Sequence, residues 1–382
     1  VLPVVPPEAE PQTAELLIDG ASRDALRAAA PPAAWPALEQ LFNAPESVGL
    51  AAFQVGREAE GAYLNAETPM PLASVVKLVT LVAYAEAAAA GELNPAELVP
   101  LSELERFYLP RFDLGAHRRA VEELRREGRV FGETDPAVSL DDVGWMMIRH
   151  SSNAASDYLH WRLGQARIEQ TAIALGLATQ SAPCPFLGQF LMMANHTRPA
   201  ANDVAAVHAY AADPVAYAGE MGLLADAFSN DPEFRQAEIR WREDTRRPSL
   251  EGQRAFSDRL NPQGSAGDYA TLMAGLAQNS LGPEASYQAR RLLEWPNQFA
   301  ANQALFSNVG YKNGSLPGVL TTAYYAYRWD APAAPVVVTL FYRDLPQQTY
   351  RAWRSSLAHD ELARWLLADP AAMGLLRAAL GG

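Results

Sequence analysis

Apolar positions along the chain change their period several times, and each change predicts an element. Residues 48–55, VGLAAFQV, are an apolar run bounded by turn residues, which predicts a strand, and residues 61–64 can return as its hairpin partner. From Ser74 to Ala90, Leu78, Leu81, Val82 and Ala85 recur at helical spacing before Gly91 and Pro95, which predicts a buried helix. Ser139-Leu140-Asp141-Asp142 reads as a capping box, with Val138 and Val143 placed as a hydrophobic staple, so a helix should run from there to about Arg149. Helical period resumes over 154–163, which leaves Ser151-Ser152-Asn153 in the joint between two helices. Further helices are expected at 14–30 and 35–42, at 118–129 with a charged and solvated face, as two or more over 202–246, and at 264–278 and 283–293. Residues 182–199 read as loop. From residue 304 the pattern turns to strand, at 304–312, 321–329 and 335–342, and a last helix follows over 347–367. Two early and three late strands can form one sheet, with the helical middle as a second lobe.

Composition narrows the function classes. A chain of 382 residues that is 49% hydrophobic can bury a sizeable core. A net charge of −13 with a pI near 5.0 argues against nucleic acid or an anionic membrane surface as partner. One cysteine, Cys184, excludes an intrachain disulfide and a multi-cysteine zinc site. The six histidines show no metal spacing, and neither a phosphate loop nor a dinucleotide fingerprint is present, so no metal or cofactor is expected. No run approaches the ~18 apolar residues of a membrane span. The sequence begins at Val1 rather than methionine, and residues 1–13, with prolines at 3, 6, 7 and 11, read as a tether. The expectation is an extracytoplasmic protein (periplasmic, secreted or membrane-tethered), and any membrane contact would be only through an N-terminal anchor removed upstream.

Candidate chemistry starts at Ser74 and Lys77, three residues apart where a helix begins, the spacing that puts two side chains on one helical face. A hydroxyl within reach of an amine is a nucleophile with its base. A helix starting at Ser74 also aims backbone N–H groups and the positive end of its dipole where an oxyanion would form. Such a pair alone also describes an ordinary solvated helix start. Composition changes its weight: of the 31 lysines and arginines, only Lys77 and Lys312 are lysines. Arginine cannot be deprotonated in a protein and lysine can, so lysine is kept here where a compact or neutral amine is needed. With an ordinary pKa of ~10.4, an amine is neutral about once in 2,500 at pH 7. Lys77 therefore needs desolvation or a nearby cation to act as base, and Lys312 is the candidate cation.

Three motifs now stand in order: Ser74-x-x-Lys77, Ser151-x-Asn153 and Lys312-Asn313-Gly314. Together they resemble the penicillin-recognising serine hydrolases, most closely the class A β-lactamases. The resemblance implies an α/β (α+β) fold of β-lactamase type: a five-stranded antiparallel sheet flanked by helices, plus an all-helical lobe with insertions. Domains would be a tether and leading helix over 1–30 and one catalytic domain over 31–382, its sheet lobe at 31–73 and 303–382 and its helical lobe at 74–302. Carried over residue by residue, Ser74 would attack a carbonyl and form an acyl-enzyme, with Lys77 and Ser151 relaying its proton. Lys312 would line the opposite wall and attract a substrate carboxylate. Backbone N–H groups of Ser74 and Ser315 would form the oxyanion hole, and Asn153, Asn313, Gly314 and Ser315 would contact the substrate.

Departures from the family pattern shape the expected activity. Asn313 stands where relatives usually carry a serine or threonine that binds the substrate carboxylate. Ser151 follows Ser74 by 77 residues and Lys312 follows Ser151 by 161, with the surplus near 103–135 and 200–258. Class A enzymes carry a glutamate on a loop after the middle motif, whereas residues 178–201 contain no Glu or Asp, and Gln189 lies about where that glutamate is expected. The implied function is a serine hydrolase acting on a β-lactam or related amide or ester, with slow β-lactam turnover. The alternatives are a penicillin-binding or sensor-like protein, or a D-Ala-D-Ala-type peptidase, that keeps the fold without efficient deacylation.

Overall fold

The structure, a computed structural model, describes residues 20–198, 204–244 and 248–381. The expected tether, and the start of the helix expected from residue 14, lie outside the described residues. Two compact units make up the described chain: a sheet unit of 20–75, 175–180 and 263–381, and a helical unit formed within 76–174 and 181–262.

In the sheet unit, β1 (Val48–Gln54), β2 (Ala62–Leu64), β3 (Phe306–Leu316), β4 (Val319–Arg328) and β5 (Val336–Tyr342) form one antiparallel sheet in the order β2-β1-β5-β4-β3. These are the five strands the sequence predicts, and β3 runs past Lys312 so that Asn313, Gly314 and Ser315 are strand residues. Helices Gly20–Ala29, Trp35–Asn43 and Ala358–Ala368 bring Leu26, Leu38, Leu41 and Leu362 into one apolar core with Leu50, Val338 and Leu340 of the sheet. Helix Ala266–Ala277 is tied to β5 through Thr339, whose Oγ1 donates to the Ala266 carbonyl at 2.7 Å. All seven residues of β5 are buried, which is why it reads as a continuous apolar run rather than an alternation. This helix also explains why residues 263–302 fall in the sheet unit, although the sequence places the sheet lobe from 303. The helix expected over 347–367 is two, Gln347–Ser356 and Ala358–Ala368, because Leu357 takes a left-handed conformation (φ 57°) that no helix continues through.

The helical unit is built on α1 (Lys77–Ala89), which the sequence expects to be buried and which is covered along most of its length. A 3₁₀ turn, Ala73–Val76, leads into it, so the α-helix proper starts at Lys77 rather than at Ser74. Next come α2 (Ala116–Arg126), α3 (Leu140–Arg149), α4 (Asn153–Leu163) and α5 (Phe186–Met193). The capping box of α3 is present in both directions: the Asp142 N–H donates to Ser139 Oγ at 3.0 Å, and the Ser139 N–H donates to Asp142 Oδ2 at 3.1 Å. Val138 and Val143 beside it are fully buried. The expected loop over 182–199 is corrected by α5. Its sequence, FLGQFLMM, is buried at every position, so it carries no amphipathic period to announce a helix. Three helices occupy the 202–246 stretch, Val204–Ala212, Pro214–Asn230 and Pro232–Asp244, the last two opening on a proline that follows an aspartate. The unit is not purely helical, since Leu98–Pro100 pairs with Ala137–Ser139 as a short ribbon. Among the described residues no helix is long and apolar enough to cross a membrane.

Candidate active site

Each unit carries part of the motif set. In the sheet unit, Ala73 precedes Ser74 in the left-handed region (φ 47°), a conformation costing a non-glycine residue of order 1–3 kcal/mol that persists only when its surroundings hold it. Those surroundings are visible at Leu72, whose carbonyl accepts from Thr321 Oγ1 at 2.9 Å and from the Val75 N–H at 3.0 Å. Gly314 lies opposite Thr321 in the β3–β4 register. A Cβ at Gly314 would come within 2.6 Å of the Ser74 nitrogen and 2.8 Å of Ala73 Cβ, so only glycine lets this strand run beside the Ser74 amide. Gly314→Ala should therefore lower the melting temperature, at a cost of about 1–3 kcal/mol, and slow any reaction at Ser74. An unchanged thermal melt would contradict the close approach.

Side chains alternate along β3. Lys312 is buried and donates from Nζ to the Asn313 carbonyl at 2.6 Å. Tyr311, Asn313 and Ser315 share the opposite face. There Tyr311 donates from its hydroxyl to Asp360 Oδ1 at 3.0 Å, and the Ser315 and Tyr350 hydroxyls meet at 2.9 Å. Asn313 thus stands on the face of the C-terminal helices rather than with Lys312, and the Ser315 hydroxyl is engaged by Tyr350.

In the helical unit, Lys77, Ser151 and Asn153 come together. Lys77 is fully buried, and its Nζ donates to the Ser151 carbonyl at 2.7 Å, to Asn153 Oδ1 at 2.7 Å and to Ser151 Oγ at 3.3 Å. It also lies 4.4 Å from the centre of the Phe186 ring. Ser151 reaches the amine with both its carbonyl and its hydroxyl from a left-handed conformation (φ 62°). The cap of α4 is Ser152, whose Oγ accepts from the Ala155 N–H at 3.2 Å. Asn153 is therefore not the cap, and its carbonyl oxygen serves the lysine. Burial brings the Lys77 pKa down to about 7, while the carboxylates of Asp157 and Asp113 pull it upward. Of the two routes to a neutral amine that the sequence leaves open, desolvation is the one that lowers the pKa here.

Asp157 is a residue sequence reasoning missed. It follows Asn153 by one helical turn, a spacing that puts the two on one face of α4, and that spacing was the available signal. Asp113, Asn153 and Asp157 line a pocket with Phe112, Leu187 and Phe190, with room for about one water molecule. Burial pushes the Asp157 pKa up to about 7, against the N–H groups of Phe186 and Leu187 and the charge of Lys77. Both carboxylates are committed to helix starts. The oxygens of Asp157 accept from Phe186 N at 2.8 Å and Leu187 N at 2.7 Å, the first residues of α5. Those of Asp113 accept from Gly115 N at 2.9 Å and His117 N at 2.7 Å. Gln189 does not line this pocket: its amide donates to the Cys184 carbonyl at 3.1 Å and accepts from Asn261 at 3.0 Å. Cys184 is a buried free thiol whose pKa burial drives well above its usual value. Among the described residues no three His, Cys, Asp or Glu side chains group as metal ligands.

A family model described as the β-lactamase enzyme family matches residues 34–364, most of the chain. The chain belongs to the β-lactamase enzyme family. Among solved structures, a β-lactamase from Chitinophaga pinensis DSM 2588 is similar at 14% identity and a TM-score of 0.50, covering 90% of this chain and 100% of that one. A β-lactamase from Sphaerobacter thermophilus DSM 20745 is similar at 17% identity and a TM-score of 0.48, covering 87% and 90%. PBP-A is similar at 14% identity and a TM-score of 0.48, covering 93% and 98%. At these identities the likeness is one of fold, and it is the mixed architecture of β-lactamase-fold proteins that the five-stranded antiparallel sheet and its helices display. No curated protein sequence matches the chain.

Proposed function

We propose that this β-lactamase-family protein is a serine acyl-transfer enzyme, with Ser74 as nucleophile and Lys77 as its base, acting on a β-lactam or a related amide or ester. The observation that supports it most is the Lys77 amine: fully buried, three residues after Ser74, and held by Ser151 and Asn153. In the proposed step Lys77 takes the Ser74 hydroxyl proton as Oγ bonds to the carbonyl carbon. The carbonyl oxygen becomes an oxyanion facing the N–H groups of Ser74 and Ser315. Collapse then breaks the carbon–nitrogen bond, and the leaving nitrogen takes a proton from Lys77 through the Ser151 hydroxyl. Lys312 supplies positive charge for a substrate carboxylate, and no cofactor takes part.

A second reading is favoured by the carboxylates. With no Glu or Asp over 178–201, and with Asp113 and Asp157 both bonded to helix N–H groups, deacylation lacks an unencumbered base. That supports a penicillin-binding, sensor-like or D-Ala-D-Ala-type peptidase role in which β-lactams acylate but leave slowly. Either role fits an extracytoplasmic location, where such substrates are met. Intact-mass measurement after incubation with benzylpenicillin tests the shared core of both readings. A mass increase of one penicillin on the wild-type chain and none on Ser74→Ala is expected, and an adduct that survives Ser74→Ala would refute the assignment.

A further inference from the structure

We propose that the insertion over 103–135 is part of the acylation machinery, and that His117 within it is a positioning residue that fixes the Ser151–Asn153 joint through Ser152. This rests on the serine acyl-transfer reading above. His117 sits in the first turn of α2, 1% exposed, with its ring stacked on Tyr108 at 5.0 Å between centres and 29° between planes. Its backbone N–H is held by Asp113, and its Nδ1 lies 3.1 Å from Ser152 Oγ. Ser152 is fully buried, donates its own N–H to the Met146 carbonyl at 3.0 Å, and is flanked by the two residues that hold the Lys77 amine.

The hydrogen-bond polarity of this line follows from its ends. Ser152 Oγ already accepts the capping N–H of Ala155, which leaves its proton to donate to His117 Nδ1. Nε2 then carries the imidazole proton and makes no hydrogen bond among the described residues, with Glu105 Oε1 3.5 Å away. The bond that ties His117 to the joint is therefore the one between its Nδ1 and Ser152 Oγ. Ser152 is no nucleophile in this arrangement, because it is buried and its oxygen is occupied. A role in packing alone would be served by any flat ring on Tyr108, and placing an imidazole here adds buried polar atoms that need partners. What the imidazole adds is a fixed acceptor for the one hydroxyl between Ser151 and Asn153.

The test uses the full chain and benzylpenicillin, following the second-order rate of adduct formation by intact mass. His117→Phe keeps a ring on Tyr108 and loses the bond; His117→Asn places an amide close to the Nδ1 position. Acylation by His117→Phe should fall roughly 10- to 100-fold, the scale expected of about 1 Å of misplacement, while His117→Asn stays within about fivefold of wild type. Hydrogen exchange over residues 150–155 should rise in His117→Phe and not in His117→Asn. If His117→Phe does not fold, Ser152→Ala removes the same bond from the other side together with the α4 cap and should give at least the same loss, whereas wild-type acylation in it would overturn the proposal. Wild-type acylation in His117→Phe, or equal loss in both His117 variants, overturns the proposal. Absence of an adduct on the wild-type chain speaks against the serine reading instead, and unchanged exchange protection over 150–155 would then overturn the positioning role independently.

Discussion

Replacing Lys77 by glutamine is expected to slow acylation of Ser74 by about 10²- to 10⁴-fold, the range general-base help usually supplies. Glutamine keeps a polar tip for the Ser151 carbonyl but has no site that takes a proton. Lys77→Arg should be equally inactive, because a guanidinium keeps charge and stem without becoming neutral. Its extra bulk in a fully buried site makes Lys77→Gln the cleaner variant. The pH dependence has a definite sign. As the proposed base, Lys77 acts in its neutral form, and burial brings its pKa down to about 7, so wild-type acylation should rise with pH through about 7 and level off above it. In Lys77→Gln that rise should disappear. Time-resolved mass spectrometry across pH measures both, with thermal melting as the control for folding. An acylation rate within about threefold of wild type in Lys77→Gln would remove Lys77 from the mechanism.

A long-lived adduct on Ser74 is the second large expected effect. Forming the acyl-enzyme needs only the serine and its proton relay, whereas hydrolysing it needs a positioned water and a base, again worth about 10²- to 10⁴-fold. The pocket beside Asn153 has room for about one water, but each carboxylate lining it already accepts two backbone N–H groups. Those bonds hold the carboxylate oxygens against helix starts rather than toward a water. Gln189 does not line the pocket, and its amide is engaged by Cys184 and Asn261. Chromogenic cephalosporin hydrolysis should therefore show an initial burst followed by slow turnover, with the mass adduct persisting over the slow phase. Rapid multiple turnover without an accumulating adduct would mean that a carboxylate, Asp157 first among them, does act as the hydrolytic base.

Much of the site was legible because its signals are local. The scarcity of lysine singled out Lys77 and Lys312, and both are among the buried charged residues of the chain. The capping box at Ser139 and the polar joint at 151–153 declared themselves by residue type and spacing, and the structure gives the joint to Lys77. Strand periodicity likewise gave all five strands of the sheet. Such features depend on contacts within a few residues, or on a face that must be apolar whatever covers it.

What only the tertiary structure decided are properties set by residues distant along the chain. Helix α5 is apolar on every side, so no period distinguishes it from a buried loop until its neighbours surround it. Leu357 breaks the last helix in a left-handed conformation that no glycine announces. Asp157 reads as one more helix-face acid, and it becomes a carboxyl with a pKa near 7 only because the packed chain buries it, against the N–H groups of α5 that hold its oxygens. His117 is in the sequence only one of six histidines without metal spacing, and it gains a partner when the fold places it against Ser152. Lys77 follows the same logic: the sequence named the amine and stated that it must lose its charge, while the burial that lowers its pKa exists only in the folded chain. Sequence fixes which groups are available and their local geometry; the dielectric around them, and therefore their protonation, is a property of the packed interior.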